Sequence, residues 1–410
     1  MELFLGKGGV GKTTLACATA LARARDGERV LVASIDQSHS LGDVLGLTLA
    51  HDPGTTATTY RVVDGLEAIE IDTLALLEER FRTLREPLKL NRGGHDHGFN
   101  WTAIDASELT GFPGAQEMLA LAEITDLADD DEWDLIVVDC PATAATLQLL
   151  ATPDMALGYL ERVWPKHRRV AAAIGTDIAM AMTVGAIEKM VGAVTSVRDL
   201  LADRDRTSAM LVTSAERVAL LEAARTRSTL ALLGIRLNSV MVNKVLPDLG
   251  GPADLPPEQL HPAVRWHYNR HGEQRDVIAA FAATMPEVSI VTAQHTGPEP
   301  VGLSSLSALS YALDVHSEGN ASAFEPPVEV QLESGSGLES VYAMRMHLPL
   351  VDPASLSLGR AEDDVIVGAD GMRRRVRLAS VLRRCVVAGA ELDGQTLVVR
   401  FRPDPKVWPR

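Results

Sequence analysis

Short apolar runs alternate with longer stretches of helical periodicity along most of the chain. Runs at Glu2–Leu5, Arg29–Ile35, Leu66–Ile71, Leu135–Val138, Ala209–Thr213, Ser239–Val242 and Val288–Val291 read as strands. This alternation predicts an α/β architecture, a mainly parallel sheet covered on both faces by helices. The unbroken Leu135-Ile136-Val137-Val138 suits a strand buried on both sides. A helix is predicted from about Thr13 to Ala24. A second should run from a capping box formed by Thr213 and Glu216 to about Leu233, where Gly234 ends it.

Beyond Tyr311 the pattern changes. Ser317 to Pro327 collects Ser, Gly, Asn and a Pro-Pro pair, which reads as a linker. After it, Tyr342, Met344, Met346 and Leu348 alternate with other residues, as do Leu397, Val399 and Phe401, and Asp370-Gly371 and Asp393-Gly394 supply turns. The expected organisation is a sheet domain at 1–316 with mostly helical insertions at 73–130 and 154–206, a linker at 317–328, and a small antiparallel β-sandwich at 329–410.

Composition narrows the class. The chain has 410 residues, 46% of them hydrophobic, with mean hydropathy +0.06, as in a soluble globular protein. A net charge of -16 argues against a surface for nucleic acid. Basic and acidic side chains balance over 323–410, so the negative excess belongs to the first part of the chain. Cys17, Cys140 and Cys385 form neither a disulfide framework nor a zinc spacing, and a cytoplasmic location is expected. A strand beginning at residue 2 or 3 leaves no room for a cleavable targeting peptide before it. The most apolar window, Val170–Val194, is interrupted by Asp177, Glu188 and Lys189, so no transmembrane segment is expected.

The chemistry concentrates at Gly6-Lys7-Gly8-Gly9-Val10-Gly11-Lys12-Thr13, a complete phosphate-binding loop between a strand and a helix. Its glycines let consecutive backbone N–H groups curl around phosphate oxygens, Lys12 reaches the β and γ phosphates, and Thr13 offers a hydroxyl to Mg²⁺. Gly6, Gly8, Gly9, Val10, Gly11, Lys12, Thr13 and Thr14 are the candidate nucleotide contacts, on a P-loop NTPase sheet. The following helix points its positive end at the same anion.

Two acidic segments follow strands at the carboxyl edge of the sheet, where ligands bind in open α/β sheets. In Asp36-Gln37-Ser38-His39-Ser40-Leu41-Gly42-Asp43, Asp36 is placed to hold Mg²⁺-bound waters and Asp43 to orient a water for in-line attack. In Asp139-Cys140-Pro141-Ala142-Thr143, Asp139 is a carboxylate for Mg²⁺ opposite Thr13, and Cys140 reads as a small packing residue. Asn243-Lys244-Val245-Leu246 resembles a base-recognition element. Leu246 stands where guanine readers carry Asp, which favours adenine and hence ATP.

Together, KGGVGKTT, DQSHSLGD, DCPATAATLQLL and NKVLP resemble the family of arsenical pump-driving ATPases and the related ATPases that target tail-anchored membrane proteins. The resemblance spans about residues 1 to 316, and Pro113-Gly114 with Glu117 echoes a further family segment. The segment from YAMRMHLPLV to GQTLVVRFRP is similar to the small heat-shock-like domain appended to some members. The loop itself resembles the deviant class of phosphate loops. There the extra lysine, here Lys7, crosses a face-to-face homodimer to the partner's nucleotide and offsets charge during phosphoryl transfer. The resemblance implies Lys7 at the partner's nucleotide, Lys12 and Thr13 at phosphate and Mg²⁺, Asp43 at the attacking water, Asp139 at the γ-phosphate switch and Asn243 at adenine. With the reading of the residues this makes Lys7, Lys12 and Asp43 the catalytic candidates, Thr13, Asp36 and Asp139 the metal candidates, and Asn243 and Lys244 the base candidates. ATP and Mg²⁺ are the implied cofactors. Departures are Ala144-Ala145 in place of Gly-His, Pro141-Ala142 in place of Ala-Pro, no zinc-binding CxxC, and no clustered cysteines of the metalloid-activated kind.

Met155, Met180, Met182 and Met190 decorate a helical stretch whose leading interpretation is an inward-facing core, with an adaptable surface for hydrophobic clients as the other. His95-Asp96-His97 reads as a solvated loop, His267 and His271 as surface or packing residues, and Arg373–Arg377 as an outward strand face. The function expected is that of a Mg²⁺-dependent homodimeric ATPase coupled to a hydrophobic client polypeptide or membrane-protein partner. The alternatives are the catalytic subunit of an arsenite or other anion efflux pump, and a regulatory nucleotide switch.

Overall fold

The computed structural model describes residues 1–36, 40–49, 58–78, 115–174, 178–250, 260–317 and 328–408. Gln37-Ser38-His39, His95-Asp96-His97, Pro113-Gly114, residues 318–327 of the linker and the side chain of Met180 lie outside the described residues. The chain divides into two compact units, Met1–Val212 with Ala293–Leu313, and Thr213–Thr292 with Asp314–Arg410.

In the first unit β1 (Glu2–Gly6), β2 (Val30–Ser34), β3 (Tyr60–Val63), β4 (Leu66–Glu70), β5 (Leu135–Asp139) and β6 (Ser208–Ser214) stand in the order β3-β4-β2-β5-β1-β6. Pairing is parallel except where the exposed edge strand β3 runs antiparallel to β4. β2 and β5 are buried at every residue, as their apolar runs require. Helix α1 (Lys12–Arg25) packs on this sheet and against the helix Leu303–Tyr311. There the Arg25 guanidinium lies 3.7 Å from the centre of the Tyr311 ring and donates to Ser310 Oγ.

Helix α2 (Ser40–Leu45) follows β2, and a helical cluster is built from α3 (Ala115–Asp129), α4 (Thr143–Val163), α5 (Lys166–Ile174) and α6 (Ile178–Ala202), with α6 touching the other three. Buried Arg169 of α5 ties the cluster. Its Nε donates to Glu188 of α6 at 2.6 Å, its Nη1 donates to Trp164 O at 2.5 Å, and Glu161 of α4 lies 3.5 Å away. Among the described residues no helix is long and apolar enough to cross a membrane.

The second unit opens with α7 (Arg217–Leu233), β7 (Arg236–Val245), α8 (Pro262–Thr284), β8 (Ser289–Gln294) and β9 (Leu313–Ser317), the three strands neighbouring one another in that order. Thr213 does not cap α7. It belongs to β6, and the residue before the helix is Glu216, extended and without a side-chain cap. The predicted end at Gly234 is found, with φ of +85°.

The rest of this unit is the expected sandwich. A four-stranded antiparallel sheet, β10-β11-β16-β15, combines β10 (Glu329–Ser334), β11 (Val341–His347), β15 (Cys385–Asp393) and β16 (Thr396–Pro403). A three-stranded one, β12-β13-β14, combines β12 (Ser357–Ala361), β13 (Asp364–Ala369) and β14 (Met372–Arg377). Asp370 and Gly371 both have positive φ, the turn geometry that the dipeptide predicts between β13 and β14.

Met344, Met346, Val365, Val367, Leu397, Val399 and Phe401 fill the core, and Leu232 at the end of α7 joins them. The basic run is not wholly outward. Arg375 pairs with Asp364 at 2.6 Å, whereas Arg374 falls on the Val376 face and its Nη1 donates to Leu232 O at 2.8 Å. A cation thereby meets the carbonyl end of α7, where the helix dipole favours it.

Candidate nucleotide site

The phosphate loop leaves β1 and enters α1 through glycines with distinct duties. A Cβ at Gly6 would stand 2.6 Å from Val212 O, while Gly9 and Gly11 have φ of +78° and +92°, where side chains are strained. Gly11 precedes α1 with no side-chain cap, so the first amides of that helix are left for an anion. Lys12 is buried, Thr13 and Thr14 are half-buried, and Lys7 is exposed.

Asp139 ends β5, paired with Phe4 of β1 on one side and Ser34 of β2 on the other. It is fully buried. Its Oδ2 accepts the Thr13 hydroxyl at 2.7 Å, Ser40 Oγ lies 3.3 Å from Thr13 Oγ1, and its Oδ1 has no hydrogen-bond partner. Burial pushes the carboxyl up to about 6, the Thr13 bond and the Lys12 ammonium pull the other way, and Asp36 adds repulsion. The structure thus brings Lys12, Thr13, Ser40, Asp36 and Asp139 to one place. A hydroxyl beside a carboxylate with one uncommitted buried oxygen is an oxygen donor set that fits Mg²⁺, which is commonly held by one or two protein oxygens together with substrate phosphates. Among the described residues there is no group of three or more His, Cys, Asp or Glu able to hold a metal.

Asp43 is exposed in the first turn of α2, and its helix is fixed from below. Buried Glu70, at the end of β4, accepts the Gly42 N–H at 3.0 Å. Neither Glu70 nor this contact is apparent from motif spacing. The one available signal is an acidic residue closing a buried strand. Val44 O accepts the Gly302 N–H at 2.9 Å, a second tie on the same helix.

In the second unit Asn243 is buried and Lys244 exposed at the end of β7. Lys244 has φ of +59°, and its N–H donates to Asn243 Oδ1 at 2.8 Å. His267 is a packing residue, its Nε2 lying 2.8 Å from Pro247 O and its ring stacked on His271.

Three methionines of the helical cluster with described side chains face away from its core. Met155, Met182 and Met190 are 48%, 37% and 56% exposed. On α4 they continue into Tyr159 and Val163, at successive four-residue steps from Met155, and on α5 into Val170 and Ile174. Among the described residues this is a run of exposed large apolar side chains in the first unit. Hydrophobic periodicity cannot tell which side of such a helix meets its neighbours, because both sides are apolar.

A profile of the anion-transporting ATPase family matches residues 1–314. The chain belongs to that family. A second profile, the HSP20-like domain found in ArsA, matches residues 339–401, within the sandwich. Among similar proteins, Protein Rv2184c of Mycobacterium tuberculosis is 44% identical over the whole of this chain and 97% of its own length. Putative arsenical pump-driving ATPase 1 of Aquifex aeolicus is 24% identical over 97% of this chain and 98% of its own length. Arsenical pump-driving ATPase of Escherichia coli is 28% identical over 78% of this chain, which spans 50% of that longer protein. The chain is thus an ATPase of this family, with the P-loop NTPase fold and the appended β-sandwich that its sequence motifs imply.

Proposed function

We propose that this ATPase works as a homodimer that closes on Mg²⁺·ATP and reopens after hydrolysis, moving an apolar surface that accepts a hydrophobic polypeptide. The observation that carries the reading is the continuity of α4. This helix starts at Thr143, just past Asp139, and bears the exposed Met155, Tyr159 and Val163 stripe. Between the two lies Pro153, which cannot donate to the carbonyl one turn earlier, next to Thr152, whose hydroxyl bonds Gln148 O at 2.9 Å. Such a position is where a helix bends. A change of state at Asp139 would therefore reach the apolar face through one element.

In this reading the loop amides of Gly8 to Thr14 and the Lys12 ammonium bind the phosphates, and Asn243 and Lys244 contact adenine. Thr13 and Asp139, with waters ordered by Asp36, would hold Mg²⁺, which neutralises charge on the β and γ phosphates when bound. Asp43 orients the attacking water from α2. Lys7 of each protomer reaches the partner's nucleotide, a contact made only in the closed dimer, and that differential affinity lets ATP shift the equilibrium. The names of relatives support a second reading, the ATPase subunit of an anion efflux pump.

Solution mass with and without a non-hydrolysable ATP analogue tests the cycle. The dimer should appear or tighten with analogue, Lys12→Ala should bind no nucleotide, and Lys7→Ala should bind ATP but lose turnover. Normal hydrolysis by the Lys7 variant would remove the trans-acting cation from the scheme. Crosslinking of hydrophobic peptides to Met155 and Ile174, dependent on nucleotide, would favour the client role.

A further inference from the structure

The backbone takes an unusual conformation at the end of β7, and one side chain from α8 holds it there. Lys244 sits in the left-handed region at φ +59°, sparsely populated for a residue with a side chain. On α8, Gln274 is 5% exposed. Its Oε1 accepts the Leu246 N–H at 2.8 Å and its Nε2 donates to Lys244 O at 3.2 Å. A single carboxamide thus satisfies a donor and an acceptor two residues apart, something neither a carboxylate nor an aliphatic side chain can do. Further along the loop, Pro247 O can only accept, so His267 must present Nε2–H to it. The helix is itself anchored by Val277, Ile278 and Phe281, buried one to two turns beyond Gln274.

We infer that Gln274, assisted by His267, is a positioning residue that sets nucleobase selectivity by holding the 243–247 loop in its binding shape. The inference rests on the proposal that Asn243 and Lys244 contact the base. Asn243 lends its own Oδ1 to the Lys244 N–H, so the orientation of its amide depends on the Lys244 backbone. That backbone is the group bracketed by Gln274. Releasing the bracket lets Lys244 relax to an ordinary φ and turns the Asn243 amide away, with no loss from the phosphate loop.

The test compares KM and kcat for ATP and GTP in the full chain and in Asn243→Ala, Gln274→Leu and Gln274→Glu. Gln274→Leu should raise KM for ATP by about tenfold, lower kcat at saturation by less than about threefold, and narrow the ATP over GTP preference. Gln274→Glu keeps the acceptor and loses the donor, and should fall between Gln274→Leu and the parent. A merely structural role would lower melting temperature without changing the ATP to GTP ratio. If Gln274→Leu does not fold, His267→Ala, which cuts only the outer tie, should give the same split in milder form. Should Asn243→Ala shift base preference while the folded Gln274 and His267 variants do not, the positioning role is overturned and the base contact survives. Should Asn243→Ala change neither KM nor preference, the base contact itself is wrong and the inference falls with it.

Discussion

Asp139 takes the Thr13 hydroxyl on one carboxylate oxygen at 2.7 Å and keeps the other buried without a partner. The pair links the end of β5 to the first turn of α1, and it leaves a buried acceptor unsatisfied. Without metal this arrangement is costly.

The cost has a pH signature. The folded carboxyl titrates at about 6, against 3.8 for an ordinary Asp, chiefly because it is buried. Between those values the folded protein keeps a proton that the unfolded chain has released. Stability of the metal-free protein must therefore fall as pH rises through that window, and the penalty is fully present above it. Its size is on the order of 3 kcal/mol. Denaturant unfolding in chelator at a series of pH values should show this slope. Asp139→Asn should flatten it, stabilise the metal-free protein at neutral pH and abolish hydrolysis. An unchanged slope in that variant would assign the titration to another group.

Glu70 gives a prediction about turnover. Its bond to the Gly42 N–H holds α2 one residue before Asp43. Removing the acceptor leaves a buried N–H unpaired, worth about 1–3 kcal/mol. Glu70→Ala should therefore lower kcat by about ten- to a hundredfold through a misplaced Asp43, with little change in KM for ATP. Glu70→Gln retains an acceptor oxygen and should recover most of the rate. Steady-state kinetics of the two variants decide the matter, because equal impairment would mean that the charge, and not the bond, is what Glu70 contributes.

Much of this architecture was legible because local chemistry and global burial agree. Continuous apolar runs marked β2 and β5, the loop glycines at 9 and 11 occupy backbone regions that favour glycine, and Gly234 and Asp370-Gly371 close their elements with positive φ. What escaped was decided at a distance. Thr213 looks like a helix cap, but β1 claims its segment, pairing through Gly6 with Val212. Tyr60–Val63 forms an exposed edge strand, with no burial pattern to announce it. Glu70 and Gln274 act on backbone 28 and 28–30 residues away, and no motif encodes such partners. Arg374 sits in a run of like charges, and only the strand alternation, with α7 alongside, shows that it turns inward.

The sandwich and α7 should behave as one body. Leu232 is fully buried in the sandwich core, and its carbonyl takes the Arg374 guanidinium. Leu232→Ala removes a buried side chain, a loss of about 2–5 kcal/mol. Hydrogen exchange should then accelerate in β13 and β14 together with the last turns of α7. Arg374→Met, which keeps the stem and deletes the bond, should give a smaller change in the same segments. Faster exchange confined to α7 would mean that the sandwich stands alone.

The three thiols decide between the client reading and a metalloid pump. Cys17, Cys140 and Cys385 are all free and buried, and burial pushes each thiol up, reinforced at Cys17 and Cys140 by the negative charge of Asp139. Thiolate is the form that binds soft metalloids, so these groups are poorly prepared to do so at neutral pH. ATP hydrolysis should accordingly be unchanged by arsenite or antimonite, and a variant with all three cysteines replaced by alanine should keep the same response. A several-fold stimulation that disappears in the cysteine-free variant would show that the buried thiols open to metalloid during the cycle, and would move the functional assignment to anion efflux.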